Sequence, residues 1–143
     1  MATTRKAATT WRGGLADGQG SVTLQSSGIG TYDVTWASRS EEPNGKTSPE
    51  ELIAAAWASC FSMALSNGLA KAGSPPEKLE TSAVVTFQPG TGITKGALSV
   101  RGTVPGLDED GFRQAAEDAK ANCPVSKALT GIPEVTLDAS LAG

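Results

Sequence analysis

The chain has 143 residues, a formal charge of −3, 38% hydrophobic and 19% charged residues, two cysteines and no histidine. That length and composition predict one globular domain around one core, and the lack of any Lys/Arg cluster beyond Arg5-Lys6 argues against nucleic acid or an anionic membrane as partner. Without histidine there is no Ser-His-Asp or Cys-His mechanism and no imidazole zinc site, and two thiolates are too few for a four-ligand metal site.

Along the first forty residues, apolar and polar positions alternate around glycine pairs: Trp11 near Gly13-Gly14, then Val22 and Leu24, then Tyr32, Val34 and Trp36. This predicts a meander of two or three short strands. Residues 40–46 carry turn chemistry and read as a surface loop. A helix start follows, with Thr47 or Ser48 as N-cap, Pro49 at the first helical position and Glu50-Glu51 in the first turn. The helix runs through Leu52–Leu65 to about Ala72, ended by Gly73 and Pro75-Pro76. It is apolar on most faces and must be covered on nearly every side. Two strands are expected at 81–87 and 97–104, joined by the turn at Gly90–Gly92. A helix over 107–121 opens at Asp108, a short helical run spans 124–129, and a last strand spans 134–141. The order predicts an α+β fold with helices on one face of an antiparallel sheet. The apolar run 52–65 is shorter than a membrane crossing, and the polar N-terminus carries no apolar leader, so a cytoplasmic address is expected.

In that compartment two cysteines read as free thiols or a working redox pair rather than a staple. Cys60 has small neighbours, Ala56, Ser59 and Ala64, and taken alone it reads as readily as an inert core residue. Cys123 stands in Asn-Cys-Pro, where the proline would place its sulfur at a helix start, a position that favours thiolate. A reactive Cys60 needs a positive group, because an unperturbed thiol is protonated at neutral pH. It lies ten positions beyond Glu50, about 15 Å along a helix, where the helix dipole has faded. The charge must then come from Arg or Lys. Arg39, at the end of the 32–36 strand, is the best placed, though it also reads as a solvated strand-end residue. Glu50 likewise reads as a first-turn dipole partner.

The segments 47–65, Thr-Ser-Pro-Glu-Glu-Leu-Ile-Ala-Ala-Ala-Trp-Ala-Ser-Cys-Phe-Ser-Met-Ala-Leu, and 122–129, Asn-Cys-Pro-Val-Ser-Lys-Ala-Leu, resemble the two signatures of the OsmC/Ohr family. These are the osmotically inducible protein C and organic hydroperoxide resistance proteins. Arg39, shortly before the Pro-Glu motif, resembles the OsmC branch. The resemblance covers the whole chain and implies a swapped α+β homodimer, antiparallel sheets with a long central apolar helix. It implies a peroxidase that reduces organic hydroperoxides, and hydrogen peroxide more weakly. Cys60 would be the attacking thiol, Cys123 the resolving thiol, and Arg39 with Glu50, or with Glu51 instead, the pair that activates Cys60. No cofactor is implied; the electron donor would be a dithiol, with a lipoyl protein expected from the hydroperoxide branch. One departure is Trp57, a turn before Cys60, where relatives carry histidine or tyrosine. If it lines the pocket, it makes access to the sulfur narrower and more apolar. The competing expectation is a binding module for a lipid-like ligand, with the cysteines as a redox sensor. Such a module has no need of the second cysteine and its helix-start proline.

Overall fold

The computed structural model describes residues 1–142, which fall into two compact units, 1–52 and 53–142. In the first, β1 (Ala8–Arg12), β2 (Gln19–Thr23) and β3 (Thr31–Val34) form an antiparallel meander in the order β1-β2-β3. A five-residue helix α1 (Trp36–Ser40) follows, and the long helix α2 (Pro49–Lys71) begins in this unit. Arg39 therefore lies on α1 and not on the end of a strand. The local cause is a capping box: the Thr35 hydroxyl accepts from the Ser38 amide at 3.0 Å, and the Ser38 hydroxyl accepts from the Thr35 amide at 3.0 Å. That reciprocal pair stops the strand at Val34 and starts a helical turn. The loop to α2 turns at Asn44-Gly45, both at positive φ (48° and 79°), with the Lys46 amide closing onto the Pro43 carbonyl at 3.0 Å. Only such residues reach this turn without strain.

Ser48 is the N-cap of α2. Its carbonyl accepts from Leu52 at 3.1 Å and its hydroxyl from the Glu51 amide at 3.2 Å, while the Thr47 hydroxyl donates to the Glu51 carboxylate. Unit 1 has little interior of its own: Val22 is buried, but Trp11, Leu15, Ile29 and Tyr32 stay 40% to 70% exposed. About fifty residues cannot cover that much apolar surface by themselves.

In the second unit β4 (Lys78–Gln88), β5 (Gly92–Thr103) and β6 (Glu134–Leu141) form a sheet in the order β4-β5-β6. Helices α3 (Glu109–Asn122) and α4 (Pro124–Ala128) connect β5 to β6. β4 and β5 pair antiparallel but β5 and β6 pair parallel, so the expected all-antiparallel sheet is corrected. Parallel neighbours need a long crossover, and α3 with α4 supplies it. Asp108 caps α3 through the Gly111 amide at 2.7 Å. The core joins Trp57, Phe61, Leu65 and Leu69 of α2 to Leu98 and Val100 of β5 and Phe112, Ala116 and Ala119 of α3.

That stripe on α2 is spaced by four residues, as one buried helix face requires. Other positions of α2, Ala55, Ala56, Ser59, Met63, Asn67 and Ala70, are exposed. At 23 residues, α2 is by length and composition alone long and apolar enough to cross a membrane, which its shorter 52–65 run did not suggest.

Two glycines of β5 are slots for aromatic rings. A Cβ at Gly96 would collide with the Trp57 ring, and one at Gly102 would come within 2.6 Å of the Phe112 ring. Gly102→Ala should therefore cost about 1–3 kcal/mol by overpacking. Gly131→Ala, in open space, should stay within about 0.5 kcal/mol of wild type. Urea midpoints of the two variants check this; equal midpoints would mean that the core yields freely around Phe112.

Candidate active site

Two polar constellations stand out, one in each unit. In unit 1, Arg39 and Glu50 form a bidentate pair: Nε donates to Oε1 at 2.9 Å and Oε2 at 3.1 Å, and Nη2 donates to Oε2 at 2.8 Å. Glu50 is only 6% exposed. A carboxylate so buried is tolerable because the planar guanidinium matches both of its oxygens. Their meeting is built from below. The Ser38 hydroxyl donates to the Thr47 carbonyl at 3.0 Å, and the Thr47 amide donates to the Asp33 carbonyl at 3.0 Å. These bonds tie the start of α2 to the end of β3, so the second residue of α2 faces α1. Glu51, the alternative carboxylate, is engaged by Thr47 instead. An apolar recess of about 370 Å³, lined by Trp11, Leu15, Trp36 and Leu52, adjoins Arg39.

In unit 2, Cys60 and Cys123 are both unbridged thiols, the first half-buried and the second with no exposed surface. Cys60 follows from the α2 stripe. With Phe61 locked in the core, its neighbour must point sideways, into a groove of about 810 Å³ between α2 and α3 that Met63, Ala64, Ala115 and Pro124 help to line. Cys123 is the last residue before α4, with Pro124 at the first helical position. Burial pushes the Cys60 thiol up, and a hydrogen bond with Cys123 raises it further, against the Val125 amide. Burial would also raise Cys123, but it is outweighed by the hydrogen bond from Cys60, the Ser126 amide and hydroxyl, and the Val125 amide, so this thiol is lowered. The Cys123 side chain closes no capping hydrogen bond, so those two amides act as oriented dipoles rather than as a cap. Within this unit the surroundings raise the accessible thiol and lower the inaccessible one.

Trp57 does not line the groove. It is fully buried, and its Nε1 donates to the Ser126 hydroxyl at 2.8 Å. The expectation of a narrowed, more apolar access conditional on its lining the pocket therefore lapses. Sequence reasoning passed over Ser126; the available signal was a hydroxyl three residues after a helix-start cysteine, one turn along α4. No group of three or more His, Cys, Asp or Glu side chains that could hold a metal ion occurs among the described residues.

The model of the family described as OsmC-like protein matches residues 42–138. The chain is 42% identical over 134 residues to peroxiredoxin OsmC of Escherichia coli, covering 92% of each. It is 33% identical over 97 residues to the organic hydroperoxide resistance protein of Xanthomonas axonopodis pv. citri, covering 64% of this chain and 65% of that one. The crystal structure of an organic hydroperoxide resistance protein from Elizabethkingia anophelis superposes with a TM-score of 0.73 at 25% identity, covering 99% of this chain and 100% of that chain. With the matched family segment spanning both α2 and the Cys123 motif, the chain belongs to the OsmC-like protein family.

Proposed function

We propose that this protein is a thiol-dependent peroxidase that reduces organic hydroperoxides, and hydrogen peroxide more weakly, to alcohols or water. The observation that carries the reading is the pairing of an accessible thiol with an inaccessible, anion-favouring one from a distant segment. The names of its relatives, a peroxiredoxin and a hydroperoxide resistance protein, support the same reading. The Cys60 thiolate attacks the terminal peroxide oxygen. The O–O bond breaks, alkoxide leaves and takes a proton, and Cys60 becomes a sulfenic acid. Cys123 then attacks the Cys60 sulfur, hydroxide leaves as water, and a disulfide forms. A dithiol donor, with a lipoyl protein as the expected one, returns two electrons.

Cys60 needs a cation to become a thiolate, since burial and Cys123 both work against it. We assign that role to Arg39, steadied by Glu50, of a second copy in a homodimer, with the two units of each chain completing one domain in that assembly. Several features support this. α2 runs without interruption, so Glu50 and Cys60 are ten residues and about 15 Å apart along one helix. The exposed positions of α2 and the exposed aromatics of unit 1 also need a partner surface. The Arg39 fork can hold the thiolate and then the developing negative oxygen. A cytoplasmic setting suits a cycle that ends with reduction by a dithiol.

Turnover of cumene hydroperoxide with dihydrolipoamide is expected for the wild type. Cys60→Ser should lower it on the order of a thousandfold or more; a rate untouched by that substitution would leave the sensor module as the better account. Cys123→Ser should react once with peroxide and then gain further oxygens on Cys60, visible by intact mass. Normal cycling without added oxygens would remove Cys123 from the resolving role. Heterodimers of a Glu50→Ala chain with a Cys60→Ser chain should retain about half the wild-type turnover, because one composite site stays complete. A fully inactive heterodimer would place the pair and the thiol in the same chain.

A further inference from the structure

The disulfide that ends peroxide reduction has two sulfurs, and its reduction must begin at one of them. We propose that Trp57 and Ser126 are positioning residues that make Cys123 the sulfur released on reduction, so that the donor dithiol adds to Cys60. The inference rests on the peroxidase reading above.

An indole N–H can only donate. Trp57 is fully buried, and its ring is fixed in the slot left by Gly96, so its N–H is held on the Ser126 oxygen at 2.8 Å. That bond occupies the Ser126 oxygen as an acceptor and leaves the Ser126 proton to be donated elsewhere. Ser126 is the third residue of α4, and its hydroxyl is one of the groups that favour the Cys123 anion. Trp57 thus acts on Cys123 through Ser126, across residues 69 positions apart in the chain.

Access and leaving-group chemistry then agree. An incoming thiolate must approach along the S–S axis. Cys60 faces the groove between α2 and α3, whereas Cys123 has no exposed surface. In thiol–disulfide exchange the better-stabilised thiolate departs faster. One donor thiolate therefore bonds to Cys60 Sγ, the S–S bond breaks, and its electron pair leaves on Cys123. The second donor thiolate attacks the donor sulfur of the mixed disulfide and expels Cys60. The donor ends as a disulfide, having given two electrons; its two protons go to Cys60 and to Cys123 or solvent.

The full-length protein, oxidised with one equivalent of cumene hydroperoxide, is mixed with glutathione, acid-quenched and peptide-mapped. Glutathione is expected on the Cys60 peptide; on the Cys123 peptide it overturns the proposal. Ser126→Ala and Trp57→Phe should each slow reduction of the disulfide by dithiothreitol about fivefold, while oxidation of Cys60 by peroxide changes less than about twofold. Ser126→Thr, which keeps the hydroxyl, should restore the reduction rate. In a Cys60→Ser background, both slowing variants should move the Cys123 alkylation profile to higher pH, a shift that a purely structural role would not produce. Unchanged reduction rates and an unchanged profile in both variants overturn the proposal. If peroxide forms no disulfide in the wild type, the peroxidase reading fails separately. A bridge made with diamide then still puts the glutathione and titration experiments to this inference.

Discussion

The rotation of α2 about its own axis is the constraint on which the remaining geometry hangs. Trp57, Phe61, Leu65 and Leu69 must face β5 and α3, since they are among the largest fully buried side chains of the core and their burial is strongly favourable. Once that stripe is seated, Cys60 has no choice of direction. It lies beside Phe61, at the wall of the groove, where a side chain is neither fully core nor fully solvent. The same seating carries the Trp57 indole nitrogen to α4, so core packing and the surroundings of the second thiol are set by one helix face.

Much of the fold was legible because its signals are local. The Pro-Glu-Glu start of α2, the Asp108 cap of α3, the Gly-rich turn at 90–92 and the alternation of β6 each depend on a few neighbouring residues. The strand order was not legible in the same way. Whether β6 runs with or against β5 is decided by how α3 and α4 return the chain, and periodicity is blind to that. The helix at Arg39 was missed for a different reason. The Thr35–Ser38 box is a side-chain exchange that competes with strand continuation, and hydrophobic alternation through Trp36 masks it.

For the site, residue types could be read and environments only in part. The two cysteines and the arginine carry chemistry by their nature, and the absence of histidine narrowed the field to them. Glu50 and Glu51 were indistinguishable in sequence. They part company only because Thr47 takes one carboxylate while the tie between α1 and the start of α2 presents the other to Arg39. The lowering of Cys123 was legible in part, from the proline that puts its sulfur at a helix start; the raising of Cys60 was not, since it comes from burial and from the approach of Cys123.

The close approach of Gly96 to the Trp57 ring has a consequence for how this sequence can change over generations. Any side chain at 96 meets the ring, whereas a smaller ring at 57 would leave a void against β5. Changes at the two positions are therefore coupled, and their order matters. Position 57 must shrink before position 96 can grow, and the intermediate on that route carries a void against β5. A lineage that acquires tryptophan here is held to glycine on the facing strand, which makes a paired Trp/Gly state at these positions a self-locking inheritance rather than two independent choices.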